Sequence, residues 1–172
     1  NSQTPLDGRL ALEVALNILQ IPSLQGLNLQ VKWPNDLYSL QGKWGGILVE
    51  PLSANQAIVG VGINLNTPPV ENADQPITSL HRLGLHQIER LSLIAELYTA
   101  IQQAAQWFEH GSYNLAERFN HHAIWLNQQV EFEHAQGKLQ GRFQGISNDG
   151  AVIIKTDQAQ QFYQGRLRLA EI

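Results

Sequence analysis

The chain contains no cysteine and no methionine in 172 residues. The first absence removes disulfides, thiolate metal sites and cysteine nucleophiles together, and it suits a reducing, cytoplasmic setting. The second extends to position 1, so the expected reading is a chain taken from a longer translation product. Long apolar runs are missing as well. None approaches the roughly 20 residues that a membrane-spanning helix needs, and no basic-then-apolar leader opens the chain. Positive charge is scarce: 11 Lys and Arg stand against 15 Asp and Glu, for a formal net charge of -4. That balance gives no electrostatic footprint for nucleic acid, so neither nucleic acid nor a membrane is expected as a partner. What remains is 43% hydrophobic and only 15% charged, a composition that argues for buried surface and against disorder. The length suits one ordinary domain, or a core with a small appended module.

Apolar periodicity divides the chain. Leu10, Val14 and Ile18, supported by Ala11, Ala15 and Leu19, recur at helical spacing and predict an amphipathic helix over 5–20, with Thr4, Pro5 and Asp7 at its start. Pro22 and Gly26 interrupt before strands expected over 27–33, 43–50 and 57–65. Their short links favour antiparallel neighbours, since a parallel crossover takes a dozen or more residues. Residues 67–76 are polar and Pro-rich, the texture of a functional loop or a linker. A helix is expected from about Leu91, with Ile94, Leu97, Ile101, Ala104 and Phe108 on one face and its end near Gly111. Ser112 is the candidate cap of a further helix carrying Leu115 and Phe119 and running to about Trp125. From Asn127 short alternating runs are split by Gln136-Gly137, Asn148-Asp149-Gly150 and Thr156-Asp157. Turns at such intervals predict about five strands in a small SH3-like barrel. The expected division is therefore 1–126 and 127–172.

Two basic residues stand out by their surroundings. Lys32 opens Lys32-Trp33-Pro34-Asn35-Asp36-Leu37, and Lys43 opens Lys43-Trp44-Gly45-Gly46-Ile47. Proline lacks the amide hydrogen a sheet ladder needs, so the first strand should end at Pro34 and hand over to a turn carrying Asn35 and Asp36. The glycines after Lys43 allow a flat or elongated ligand to approach the backbone. A third run, Gly60-Val61-Gly62-Ile63-Asn64, follows in the next strand. Singly, each has a plain explanation: a strand-end lysine, a hydrogen-bonding turn, a bulge.

Together, in this order and spacing, the three runs resemble the catalytic core of biotin protein ligases, with its K-W-P-N-D-L, its second lysine before a G-G-I strand and its later G-x-G-I-N. The resemblance spans all 172 residues. It implies an α+β fold, mainly antiparallel sheet packed with helices, of the class II aminoacyl-tRNA-synthetase-like kind and incomplete at its N-terminus, followed by the SH3-like barrel. It further implies ATP-dependent formation of biotinyl-5'-AMP and transfer of biotin to a lysine of a biotin carboxyl carrier domain of acetyl-CoA carboxylase. The family's ligands would be biotin, ATP and Mg2+. By this resemblance Lys43 contacts the biotin carboxylate and the α-phosphate. Lys32 and Asn35 hold the triphosphate, Asn35 with the metal. Asp36 orients or deprotonates the acceptor lysine, and Asn64 reaches the nucleotide. Gly45, Gly46, Gly60 and Gly62 line the biotin groove, where larger side chains would fill the space.

The chain departs from the family pattern in one respect. It contains no G-R-G-R-x-G run, the loop that wraps the carboxylate and phosphates in the family, and Arg9 in the first helix is no substitute; on its own the chain is expected to bind biotin poorly. Two other readings stay open: a lipoate-ligase-like enzyme, and a non-catalytic module that binds biotinyl-adenylate or carrier domains. Trp33 and Trp44 are candidates for either pocket lining or core. His121 and His122 lack a third metal ligand. Arg166 and Arg168 alternate with leucines and are expected to face solvent, and Thr78-Ser79 are read as shaping the nucleotide side or as a simple turn.

Overall fold

A computed structural model describes residues 4–66 and 74–170 of the chain. The first helix, α1 (Arg9–Ile18), is shorter than its periodicity suggests: Pro5 lies outside it, and the Asp7 carboxylate accepts from the Arg9 amide at 2.9 Å. It is also buried almost all round, with Leu10, Leu12, Val14, Ala15, Leu16 and Ile18 all in the core. A helix so enclosed needs any polar residue it carries to be paired. Glu13 is fully buried, and the Arg118 guanidinium grips its carboxylate with two bonds of 2.6 and 2.9 Å.

Four strands form one antiparallel meander: β1 (Gln30–Lys32), β2 (Asp36–Ser39), β3 (Gly42–Ser53) and β4 (Gln56–Ile63), in spatial order β1-β2-β3-β4. The antiparallel arrangement agrees with the short links. Strand β2 corrects the expectation that Asn35-Asp36 form the turn itself. The turn is completed by Asn35, and Asp36 already pairs with Lys32 on β1 and Gly46 on β3. Aspartate is a poor strand former, so local propensity masks an edge-to-edge pairing made by its neighbours.

Helix α2 (Arg90–Glu109) is capped by the Glu89 carboxylate, which accepts from the amides of Leu91 and Ser92 at 3.2 and 2.7 Å. Its buried face carries Leu93, Ala100, Ala104 and Phe108, whereas Ile94 is 61% exposed. The expected face was thus one residue out of phase at its first turn: Leu93 and Ile94 lie about 100° apart around the axis, and it is Leu93, with Ala100 and Ala104, that is buried in a helix packed on α1. Helix α3 (Leu115–His122) buries Leu115 and Phe119 as expected, but Ser112 does not cap it; Asn114, in the left-handed region, precedes it. The helix stops before Trp125 because Ala123 bridges Val31, and the Ile124 amide donates to the Val31 carbonyl at 2.9 Å. That contact covers the free edge of β1, which would otherwise expose unpaired ladder groups.

Five further strands, β5 (Gln129–His134), β6 (Gly137–Ile146), β7 (Val152–Lys155), β8 (Ala159–Phe162) and β9 (Arg166–Leu169), make a second antiparallel sheet in order β8-β7-β6-β5-β9. It has the five strands and SH3-like form expected, with Val130, Phe132, Phe143, Val152, Ile154 and Leu167 inward. The two sheets share one core. Trp33 packs against Phe132 with ring centroids 6.0 Å apart, and its indole nitrogen donates to the Gly150 carbonyl at 3.0 Å.

Candidate functional site

The register of the first sheet brings the two lysines together. Lys32 and Asp36 are direct cross-strand partners, so the Lys32 ammonium meets Asp36 Oδ2 at 3.2 Å. Asp36 in turn stands opposite Gly46. A side chain at that position would begin 3.3 Å from Lys43 Nζ. The space it leaves empty is used by Lys43, whose ammonium crosses Gly46 to reach Asp36 Oδ1 at 2.5 Å. One carboxylate therefore holds two ammonium groups from separate strands, one on each oxygen.

Lys32 is the more enclosed of the two. Its Nζ lies 5.2 Å from the ring centroid of Tyr38 and 5.6 Å from that of Trp125, and Gln75 Oε1 accepts from it at 2.7 Å. Burial lowers its pKa from the ordinary lysine value, against the opposing pull of Asp36. The cation-facing rings meet edge to face at 5.4 Å, an arrangement that offers an ammonium the negative ring faces. The Tyr38 hydroxyl is buried without a hydrogen-bond partner among the described residues, and that burial pushes its pKa up to about 12.

These groups line a cleft of about 870 Å3 together with Asp74, Gln75, Pro76 and, from β9, Arg166 and Arg168. Among the described residues its charged lining consists of four cations and two carboxylates. Arg166 and Arg168 are partly exposed, as their alternation with leucines implies, yet both turn to Asp74, at 3.7 and 3.1 Å. Sequence reasoning did not single out Asp74, Gln75, Tyr38 or Trp125. Asp36 and Tyr38, two apart on β2, would have drawn attention to each other had β2 been read as a strand.

The other candidates are placed differently. Asn35 uses its side-chain amide to donate to the Ile47 carbonyl at 2.7 Å, and its own carbonyl accepts from the Ile47 amide at 2.9 Å, which fastens the turn to β3. Asn64 donates to the Thr78 carbonyl at 3.1 Å and accepts from the Leu80 amide at 2.9 Å, holding the 78–80 segment on the end of β4. Thr78 and Ser79 are accordingly buried, and Ser79 Oγ accepts from the Arg82 amide at 3.3 Å, as in a turn. Trp44 is a core residue, 0% exposed, and Trp33, 2% exposed, is in the core and also borders the cleft. Most of the loop expected over 67–76, residues 67–73, lies outside the described residues.

The glycines separate into two kinds. A side chain on Gly45 would strike the Gly62 carbonyl at 2.6 Å, so Gly45 is needed for packing. Among the described residues, Gly62 has nothing within 4 Å of where its side chain would be, and Gly60 only Leu48 at 3.8 Å. Gly46, Gly60 and Gly62 lie on one face of β3 and β4 by register. They form a bare strip outside the cleft proper, which begins where Lys43 crosses Gly46.

His121 and His122 are closer than helical spacing implies: their rings meet edge-on at 4.9 Å, and both line a groove with Trp107 and Arg118. Among the described residues no three His, Asp or Glu side chains are grouped so as to hold a metal.

Comparison with known proteins decides the family. Residues 8–64 match the biotin/lipoate A/B protein ligase family, and residues 125–167 match the biotin protein ligase C terminal domain; the two matches together take in more than half of the chain. The chain belongs to the biotin protein ligase family.

Among curated relatives, the bifunctional ligase/repressor BirA of Escherichia coli is 29% identical over 158 residues, covering 86% of this chain and 49% of that protein. The biotin–[acetyl-CoA-carboxylase] ligase of Paracoccus denitrificans is also 29% identical, over 85% of this chain and 63% of its own length. The chain thus spans about half the length of BirA. The biotin protein ligase of Aquifex aeolicus, solved with biotin and ATP, superposes with a TM-score of 0.79 at 23% identity, over 95% of this chain and 72% of that one, a likeness of fold. No described helix is long and apolar enough to cross a membrane.

Proposed function

We propose that this chain provides the lysine and glycine half of an ATP-dependent biotin protein ligase site, acting in the cytoplasm on a biotin carboxyl carrier domain of acetyl-CoA carboxylase. The supporting observation is the single Asp36 carboxylate shared by Lys32 and Lys43 beside the bare strip of Gly46, Gly60 and Gly62. The reaction begins with an oxygen of the biotin carboxylate attacking the α-phosphorus of ATP, with pyrophosphate as the leaving group. The amine of the acceptor lysine then attacks the carbonyl of the mixed anhydride, AMP departs, and the amine gives up a proton.

Both reactants of the first step are anions, so cations at the crossing point stabilise it electrostatically. Lys43, already suspended over Gly46, serves the carboxylate and the α-phosphate. Lys32 serves the triphosphate. When Lys43 transfers to the substrate, Asp36 Oδ1 is released and becomes the group that orients or deprotonates the acceptor lysine. The glycine strip receives the biotin rings and tail. Asn64 contributes through the 78–80 segment it holds. Magnesium would arrive on the phosphates, as it commonly does, with the Asn35 amide oxygen as its contact here, since the amide nitrogen is committed to Ile47. The 1–126 and 127–172 division is kept as two modules with a joint core. The match at 125–167 to the C terminal domain of biotin ligases favours biotin over lipoate.

Biotin-dependent exchange of pyrophosphate into ATP by the full-length protein tests the reading, with lipoate as competitor; exchange driven by lipoate instead of biotin would replace it. The glycines supply a sharper test. Gly62→Val keeps the melting temperature, because the added side chain meets open space, while biotin affinity falls by about tenfold or more, on the scale of blocking a close-fitting pocket. Gly45→Ala destabilises the fold by about 1–3 kcal/mol, the usual cost of overpacking. Calorimetric melts and biotin titrations of the two variants separate these outcomes.

Lys32 gives a pH signature. Its folded-state pKa lies below its unfolded value of about 10.5, so the unfolded chain holds this proton to higher pH. Its contribution to stability therefore rises with pH in the window below about 10.5. Its service to a triphosphate runs the other way: the charge, and with it ATP affinity, is lost in that same window. Lys32→Arg keeps its charge throughout, so the alkaline fall in ATP affinity is expected to be smaller in the variant than in the native protein.

A further inference from the structure

The cleft already contains its own anion. Asp74 stands between Arg166 and Arg168, and beside it Gln75 places a side-chain oxygen on Lys32 at 2.7 Å. Two consecutive residues thus occupy three of the four cations that line the cavity among the described residues, while the fourth, Lys43, is held by Asp36.

The segment that carries them is fastened on its C-terminal side. Beyond Gln75 the backbone is tied to β3: the Lys43 amide donates to the Pro76 carbonyl, and the Thr78 amide to the Lys43 carbonyl, each at 2.9 Å. Gly42 has no room for a side chain because the Pro76 carbonyl would lie 2.5 Å from it. Asp74 and Gln75 reach the cleft from this anchor through side chains. The Asp74 contacts are exposed, with side-chain accessibility of 62% against 68% for Arg166 and 41% for Arg168. Ion pairs of that exposure are weak and screened by salt. A polyanion entering the cleft offers the same cations several oxygens at once, and Arg favours such multidentate partners.

We infer that Asp74 and Gln75 are a built-in competitor for the anionic ligand: an entering polyphosphate takes Arg166 and Arg168 from Asp74 and Lys32 from Gln75. This rests on the reading of the cleft as an anion site. It makes Asp74 a determinant of how tightly the ligand is held, opposite in sign to the lysines. Removing its charge leaves the four cations facing one described carboxylate, that of Asp36. The competition also sets a threshold, since a monoanion cannot replace all three contacts and a polyphosphate can.

The test is titration of the full-length protein and its variants with inorganic tripolyphosphate, and with orthophosphate as the short anion. Asp74→Asn is expected to tighten tripolyphosphate binding by about threefold to tenfold at low ionic strength, the range that weak exposed pairs can contribute. The gain should shrink at high salt and vanish when Arg166 and Arg168 are both replaced by Gln, as the coupling of a double-mutant cycle requires. Gln75→Ala should tighten binding independently of those arginines, through Lys32. Orthophosphate should bind weakly to the native protein and gain from Asp74→Asn. Unchanged or weaker tripolyphosphate binding by Asp74→Asn, with Lys43→Ala still weakening it, overturns the inference while leaving the anion site standing. Binding that Lys43→Ala does not affect removes the anion site and the inference together.

Discussion

Replacing Lys43 with Ala in the full-length protein should lower kcat/KM for biotinyl-adenylate formation by about 100- to 1000-fold, or about 2.7–4 kcal/mol, the usual cost of losing one preorganised electrostatic group. The fold should survive, because the Lys43 side chain is 31% exposed and its partner Asp36 keeps Lys32. Pyrophosphate exchange measures the first quantity and a thermal melt the second. Lys43→Arg should recover only part of the rate. Its charge is retained, but a forked guanidinium must fit where an ammonium now lies 3.3 Å from the position of a Gly46 side chain. Adenylation undiminished in Lys43→Ala would transfer this chain to the class of non-catalytic binding modules.

The largest stability change is expected far from the cleft. Arg118→Ala removes both bonds to Glu13, which is 0% exposed in the middle of α1. It also removes the guanidinium that stacks 4.2 Å from the Trp107 ring centroid. Breaking one side of a buried pair leaves an uncompensated charge and costs about 3–5 kcal/mol. For a chain of this length that is a fall in melting temperature of about 6–20 °C. Replacing both partners by apolar residues, Glu13→Leu with Arg118→Met, should recover most of the loss, since no charge is then left stranded. A melt of the double variant as low as that of Arg118→Ala would show that the stacking on Trp107, and not the pair, carries the effect.

The two predictions differ in how visible their residues were. Lys43 was legible in the sequence because it stands next to a glycine pair and in fixed order with two other motifs. Arg118 was not, because nothing local distinguishes a guanidinium that will reach across 105 positions to a buried glutamate. The same contrast runs through the fold. The antiparallel sense of the strands joined by short links and the five-stranded second sheet could be read from link lengths and turn residues, whereas β2 could not. The burial of Leu93 in place of Ile94 could not, because two adjacent apolar residues on a helix differ only in which neighbour the helix meets.

The sequence by itself determined the lysine and glycine runs, the helical and strand periods, and the order of the two sheets, all of which depend on residues within one or two turns of each other. The tertiary structure alone decided that Asp36 belongs to a strand and lies between two ammonium groups, and that Gly46 is empty because Lys43 crosses it. It also decided that Asp74 faces two arginines from the far end of the chain. Cross-strand register and the docking of one sheet on another set those contacts, and both are settled by the packing of many distant side chains at once, of which no single stretch of sequence contains more than a part.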